Sequence, residues 1–367
     1  MTEQSLHRPS RQTNVKGFRT HSKRRCEAHL LGFNLHVESL PFQEQDTAAA
    51  ACATSAIWSG LQGTALLFQH GIHSPVEITR IATGQFPGLR RAFPNRGLNP
   101  PQMAAAIRQV GLDPEVVGVE TKSLLKATVY AYLRARIPVL MNVALFAFSD
   151  LKAPKPYKGD WNMGHAVAVT GYSLGTGDLE PHPKWGTLLR ATRIDRLYVH
   201  DDQLGPFARL KFDGPTGPVK FEDQQTTLTF SLSTSWPGEK KPDSVCFVPE
   251  TLIVPVYHKI RVDFDTILEK VFDLERHYRD RFRVDLPSVG VEWDIYLTTA
   301  SDFKADIRGQ GKLQETQKWE LLCTPFPRFL WIASGYLGDA RVLDLVFDAT
   351  DVPGSSSLQM KSYKYGL

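Results

Sequence analysis

Cysteine is scarce in this chain. The 367 residues hold four, Cys26, Cys52, Cys246 and Cys323, too few and too scattered for a disulfide scaffold at this size. No two of them form a Cys-x-x-Cys pair, so zinc-ribbon spacing is missing. Long apolar runs are missing too: no window approaches 18 consecutive apolar residues, and no membrane span is expected. The N-terminus is polar and basic, without the apolar stretch of a secretory signal. The sequence lacks a P-loop, a G-x-G-x-x-G turn and an H-E-x-x-H helix. These absences point to a cytoplasmic protein with reduced thiols, and to no cofactor and no metal.

What is present suits a folded body. Hydrophobic residues make up 42% and charged residues 22% of the chain, enough apolar matter for a core. The net charge of +4 is unevenly placed, because residues 1–25 carry seven Lys/Arg against one acid, Glu3. The remainder is therefore slightly acidic. The arm is also rich in Ser, Thr, Gln and His, so residues 1–25 are expected to be disordered. It is either a solvated tail or a weak contact for nucleic acid or an acidic partner. The body offers no finger spacing, RNP-like strand or basic helix with which to read nucleic acid.

Along the chain, residues 29–38 read as an opening strand. Thr47 and the alanines after it start a helix, with Ala56, Ile57, Gly60, Leu61, Thr64, Leu67 and Phe68 at helical spacing and Gly71 as its stop. Ser74-Pro75-Val76-Glu77 is a capping box that starts a second helix. Asn99-Pro100 starts a third, and residues 121–135 form a fourth. The period then changes. Residues 137–148, 164–173, 196–201 and 226–234 are strand-like runs separated by turn residues. The fold class is therefore α+β, with helices packed on an antiparallel sheet over residues 26–236. The Pro-, Gly- and charge-rich stretch 237–244 reads as a linker. Residues 245–367 read as a second, smaller α+β domain: a strand at 245–257, an amphipathic helix at 264–282, and strands at 291–299, 328–336 and 340–350. The last two form a hairpin through Leu337-Gly338-Asp339.

Cys52 carries the chemistry of the first domain. A thiol attacks a carbonyl as thiolate, and a helix N-terminus or a nearby imidazolium favours that form. The small residues around Cys52 leave room for a substrate and for backbone N–H groups at an oxyanion. A Cys among alanines is also a common small core residue. His165 opens a strand that is apolar on both faces, where a polar ring serves either as a base or as a strand cap. Asp201, or Asp202 beside it, ends another strand and can orient the second ring nitrogen of such a base, or simply serve the Gly205-Pro206 turn. Gln45, with Gln43 as the alternative, can lend its amide to an oxyanion. His165, His200, Asp201 and Asp202 are metal-ligating types, but strand alternation aims His200 away from Asp201.

The order Gln45, Cys52, Ile137–Val143, Gly164-His165-Ala166-Val167 and Val199-His200-Asp201 resembles the papain-like cysteine peptidases. It is most similar to the type that processes double-glycine leaders of bacteriocins. The resemblance spans residues 38–212 and does not extend to residues 245–367. It implies Cys52 as nucleophile, His165 as base and acid, Asp201 as orienter and Gln45 as oxyanion donor. The implied activity is cleavage of a peptide or isopeptide bond through a thioester, on a peptide or protein substrate. The downstream domain would hold a protein partner. Two alternatives remain: a catalytically inactive papain-like scaffold used for protein binding, and a transglutaminase-like acyl transferase.

Overall fold

The computed structural model describes residues 18–20, 22–44, 51–84, 97–147, 155–156, 164–221, 224–234, 245–282, 290–309, 313–352 and 360–365. In chain order the first elements are β1 (Phe18–Thr20), β2 (Arg24–Leu30), β3 (Phe33–Ser39), α1 (Cys52–Phe68), α2 (Pro75–Gly84), α3 (Pro100–Gln109), β4 (Leu112–Gly118) and α4 (Lys122–Arg134). Next come β5 (Val139–Ala147), β6 (Lys155–Pro156), β7 (Gly164–Leu174), β8 (Leu188–Leu189), β9 (Ile194–Asp201), β10 (Gly205–Lys211), β11 (Gly217–Phe221), β12 (Gln224–Leu228), β13 (Leu232–Thr234) and β14 (Val245–Tyr257). The last are α5 (Phe264–Phe282), β15 (Glu292–Thr299), α6 (Ala300–Gly309), α7 (Glu315–Cys323), β16 (Phe329–Leu337), β17 (Ala340–Asp348) and β18 (Met360–Lys364). This is a mixed α+β fold with several helices packed against antiparallel sheets.

The helix starts follow local chemistry. Ser74 and Glu77 exchange backbone-to-side-chain hydrogen bonds at the head of α2. Asn99 and Gln102 do the same for α3, and the Thr121 hydroxyl accepts from Leu124 at the head of α4. Each satisfies N–H groups that the first turn leaves unpaired. Helix α1 differs from expectation. It begins at Cys52 itself, with Ala51 as an N-cap that makes no side-chain bond. Thr47, the expected cap, lies outside the described residues.

Among the described residues the main sheet has nine strands, and its pairing path closes on itself. Strand β7 pairs with β9, then β10, β13, β14 and β5 follow in turn, and β5 returns to β7. β14 is the long stave of this ring. One of its edges lies along β5, and the other is shared by β13 at its start and β4 at its end. Its register shifts between Pro249 and Thr251, next to a proline that has no N–H to give to the ladder.

The sequence reading assigned residues 245–257 to a second domain, whereas they complete the first sheet. The linker at 237–244 lies outside the described residues. A five-stranded sheet, in the order β18-β17-β16-β15-β8, forms the other layer. Its β8 comes from the segment between β7 and β9 and pairs in parallel with β15. Arg193 in that segment donates two hydrogen bonds of 3.1 Å to Glu292 of β15. Helix α4 contacts β5 and β7 on one side and β15 on the other. One continuous hydrophobic cluster therefore includes Val139, Val167 and Val199 of the main sheet, Leu125 and Tyr132 of α4, and Leu297, Trp331 and Phe347 of the second sheet.

The N-terminal arm also differs in part from expectation. Residues 1–17 lie outside the described residues, but β1 pairs with β7 and Arg24 begins β2. The expected single strand at 29–38 is a hairpin. Leu31 and Gly32 both have positive φ, 48° and 84°, the tight turn whose twist suits two antiparallel strands.

Candidate functional site

Cys52 is buried at the head of α1. The helix is held close to the main sheet by two glycines. A Cβ on Gly60 would meet Leu140 at 3.1 Å, and one on Gly63 would meet Pro138 at 2.9 Å. His165 is the second residue of β7, Asp201 the last of β9, and Asp202 follows it; all three side chains are buried. Pairing of β7 with β9 brings the three together. His165 Nε2 donates to Asp201 Oδ2 at 3.1 Å and lies 3.9 Å from Asp202 Oδ1. Asp201 is fixed from its other side, where Oδ1 accepts from the backbone N–H groups of Gln203 and Leu204. The two Asp202 oxygens accept no hydrogen bond.

The electrostatics follow from this packing. Burial pushes the His165 ring toward the neutral form, but the Asp201 charge and its hydrogen bond outweigh that, with a smaller contribution from the Cys52 side chain. The ring is held well above its ordinary value. Burial pushes Asp202 up to about 6, aided by the charge of Asp201 and opposed by His165. His200 faces the other way, as alternation predicts. Its Nδ1 lies 3.3 Å from the Ser59 hydroxyl of α1, and burial lowers it to about 3.

This geometry overturns the expected Cys52–His165–Asp201 triad. Among the described residues, the His, Cys, Asp and Glu ligand atoms lying within 4.8 Å of one another are those of His165, Asp201 and Asp202. No cysteine belongs to the cluster, and the Cys52 side chain meets the ring from outside it. The cysteine peptidase and isopeptidase reading is therefore set aside, and with it the expectation of an enzyme. The acyl-transfer alternative needs the same nucleophile and falls with it. Gln45 lies outside the described residues, and Gln43 is exposed.

Sequence reasoning weighed Asp202 as a substitute for Asp201 and as one of a metal-ligating set with His165, His200 and Asp201; in the structure both acids stand at the His165 ring. The doubled acid at the end of a strand was the available signal. It also counted G-x-S-x-G as missing, whereas Gly171-Tyr172-Ser173-Leu174-Gly175 has the letters of a nucleophile elbow. An elbow needs a sharp strand-to-helix turn. Ser173 instead lies inside β7, buried, with its hydroxyl donating to Asp195.

Compared with protein-family models, the chain matches none. Compared with curated proteins, it matches none. No helix among the described residues is long and apolar enough to cross a membrane.

Proposed function

We propose that the chain is a papain-like scaffold that binds another protein and carries out no hydrolysis. The order of helix α1, strand β5, the His165 strand and the Asp201 strand supports the papain-like arrangement. The cysteine-free cluster supports the absence of hydrolysis. The observation that carries the binding role is the hairpin β2–β3. Cys26, Ala28 and Leu30 stand opposite Val37, Leu35 and Phe33, so alternation gathers six apolar residues on one face. That face is open: Leu30 is 59%, Phe33 71%, Leu35 40% and Val37 45% exposed, and Leu31 at the turn is 91% exposed. The opposite face carries Arg25, Glu27, His29, Asn34, His36 and Glu38. The hairpin is tied at its root, where Arg24 donates to Gln62 of α1 at 2.8 Å. A two-stranded sheet with a bare apolar face is marginal in water by itself, and a protein surface that covers it supplies the missing layer.

Two measurements test this reading. In the first, the Phe33→Ser/Leu35→Ser variant is compared with wild type and Cys52→Ala in affinity capture, with folding checked by circular dichroism. Wild type and Cys52→Ala should retain the same partner and the hairpin variant should lose it. Equal capture by all three overturns the docking face. In the second, alkylation of the native protein is followed by mass spectrometry. Exposed Cys323 should react ahead of Cys52; selective, fast labelling of Cys52 near neutral pH would sink the non-hydrolytic reading.

A further inference from the structure

We infer that His165, Asp201 and Asp202 form a binding site for a divalent transition-metal ion, with zinc and manganese as the fitting candidates. The inference rests on this cluster alone and not on the hairpin.

Geometry comes first. Ligand atoms about 2.0–2.2 Å from one ion stand roughly 3 Å apart. The His165 Nε2 to Asp201 Oδ2 distance is already 3.1 Å. Asp202 Oδ1 is 3.9 Å from the same nitrogen, and no hydrogen bond restrains either of its oxygens. A small rotation of that side chain closes the set. Asp201 is pre-oriented by the backbone N–H groups of Gln203 and Leu204, the outer-shell support that metal-binding carboxylates show.

Charge gives the second, independent argument. Asp202 is a buried polar side chain that accepts no hydrogen bond and is aimed into the cluster, an arrangement that costs free energy as it stands. One imidazolium cannot neutralise two carboxylates. A divalent cation with a neutral imidazole does so completely, and the ring proton leaves to solvent as the ion enters. One nitrogen and two carboxylate ligands favour zinc or manganese over magnesium and calcium, which take oxygen ligands. Three protein ligands leave at least one further position on the ion.

The full-length protein, stripped with a chelator, is titrated calorimetrically with zinc chloride and separately with manganese chloride. One equivalent should bind and raise the melting temperature. Asp202→Asn keeps the shape of the side chain and should weaken binding by at least about tenfold. His73→Ala, outside the cluster, should leave it unchanged. Absence of stoichiometric binding by either metal at millimolar concentration, or equal binding by Asp202→Asn, overturns the site. X-ray absorption on the zinc-loaded wild type provides a readout that does not depend on the variant folding. A nitrogen/oxygen shell with a single imidazole is expected, and sulfur in the shell or several imidazoles would overturn the assignment.

Discussion

Glu115 lies in β4 with its carboxyl group enclosed beneath Tyr132, whose hydroxyl donates to it. Burial pushes this carboxyl up to about 8, and the nearby charges of Asp263 and Asp265 act in the same direction. The sign of its effect on stability is fixed by linkage. An unfolded glutamate ionises near 4.5, so between that value and about 8 the unfolded chain holds fewer protons than the folded one. Raising the pH through this window therefore removes stability. Glu115→Gln should flatten the fall in melting temperature between about pH 5 and 8. A variant as pH-sensitive as wild type would contradict the assignment. His200 works in the opposite direction: its folded value of about 3 makes it cost stability as acid charges the unfolded chain. Neither behaviour was legible in the sequence. Which acid is enclosed depends on β4 lying against β14, a pairing of residues more than a hundred positions apart. The joining of His165 to Asp201 was within reach, because both stand at the mouths of strand-like runs. The exclusion of cysteine from that cluster depends on how α1 packs against the sheet, which no periodicity encodes.

Helices announced by side-chain caps were the most legible elements, because a cap is a local bond between residues three apart. The same chemistry also marked α6, where Thr299 and Asp302 exchange hydrogen bonds, although the reading ran past it. The hairpin β2–β3 was taken as one strand because its turn is Leu31-Gly32 rather than the common Asn-Gly. The run 226–234 was expected to be one strand but divides into β12 and β13. The interruption lies where the Ser231 hydroxyl turns to donate to the Pro215 carbonyl. Close approach governs α1. In an exposed helix, Gly→Ala is worth about 1 kcal/mol of stabilisation. At position 63 the added methyl meets the Pro138 ring at 2.9 Å, so the ring or the helix must shift to admit it. Gly63→Ala should destabilise the protein by about 1–3 kcal/mol in urea unfolding. A neutral or stabilising result would mean that α1 sits further from the sheet.

Two features join the halves of the molecule. The hydrophobic cluster runs from the main sheet through α4 into the second sheet, and β8 leaves the first half to pair with the second. Composition and a Pro-rich stretch suggested two domains, because a surface crossing by the chain looks the same in sequence whether or not the core beneath it is shared. Urea unfolding should therefore give one transition, coincident by tryptophan fluorescence and far-UV circular dichroism. Two separated transitions would show that the layers stand independently. β14 has a consequence for how the protein is made. Its partners β4 and β5 are synthesised about a hundred residues earlier, and synthesis runs at roughly 5–20 residues per second. On the ribosome, β4 and β5 thus wait several seconds with open hydrogen-bonding edges before their common neighbour emerges. The nascent chain is a template for stray strands during that interval, and the ring of strands closes only late in translation.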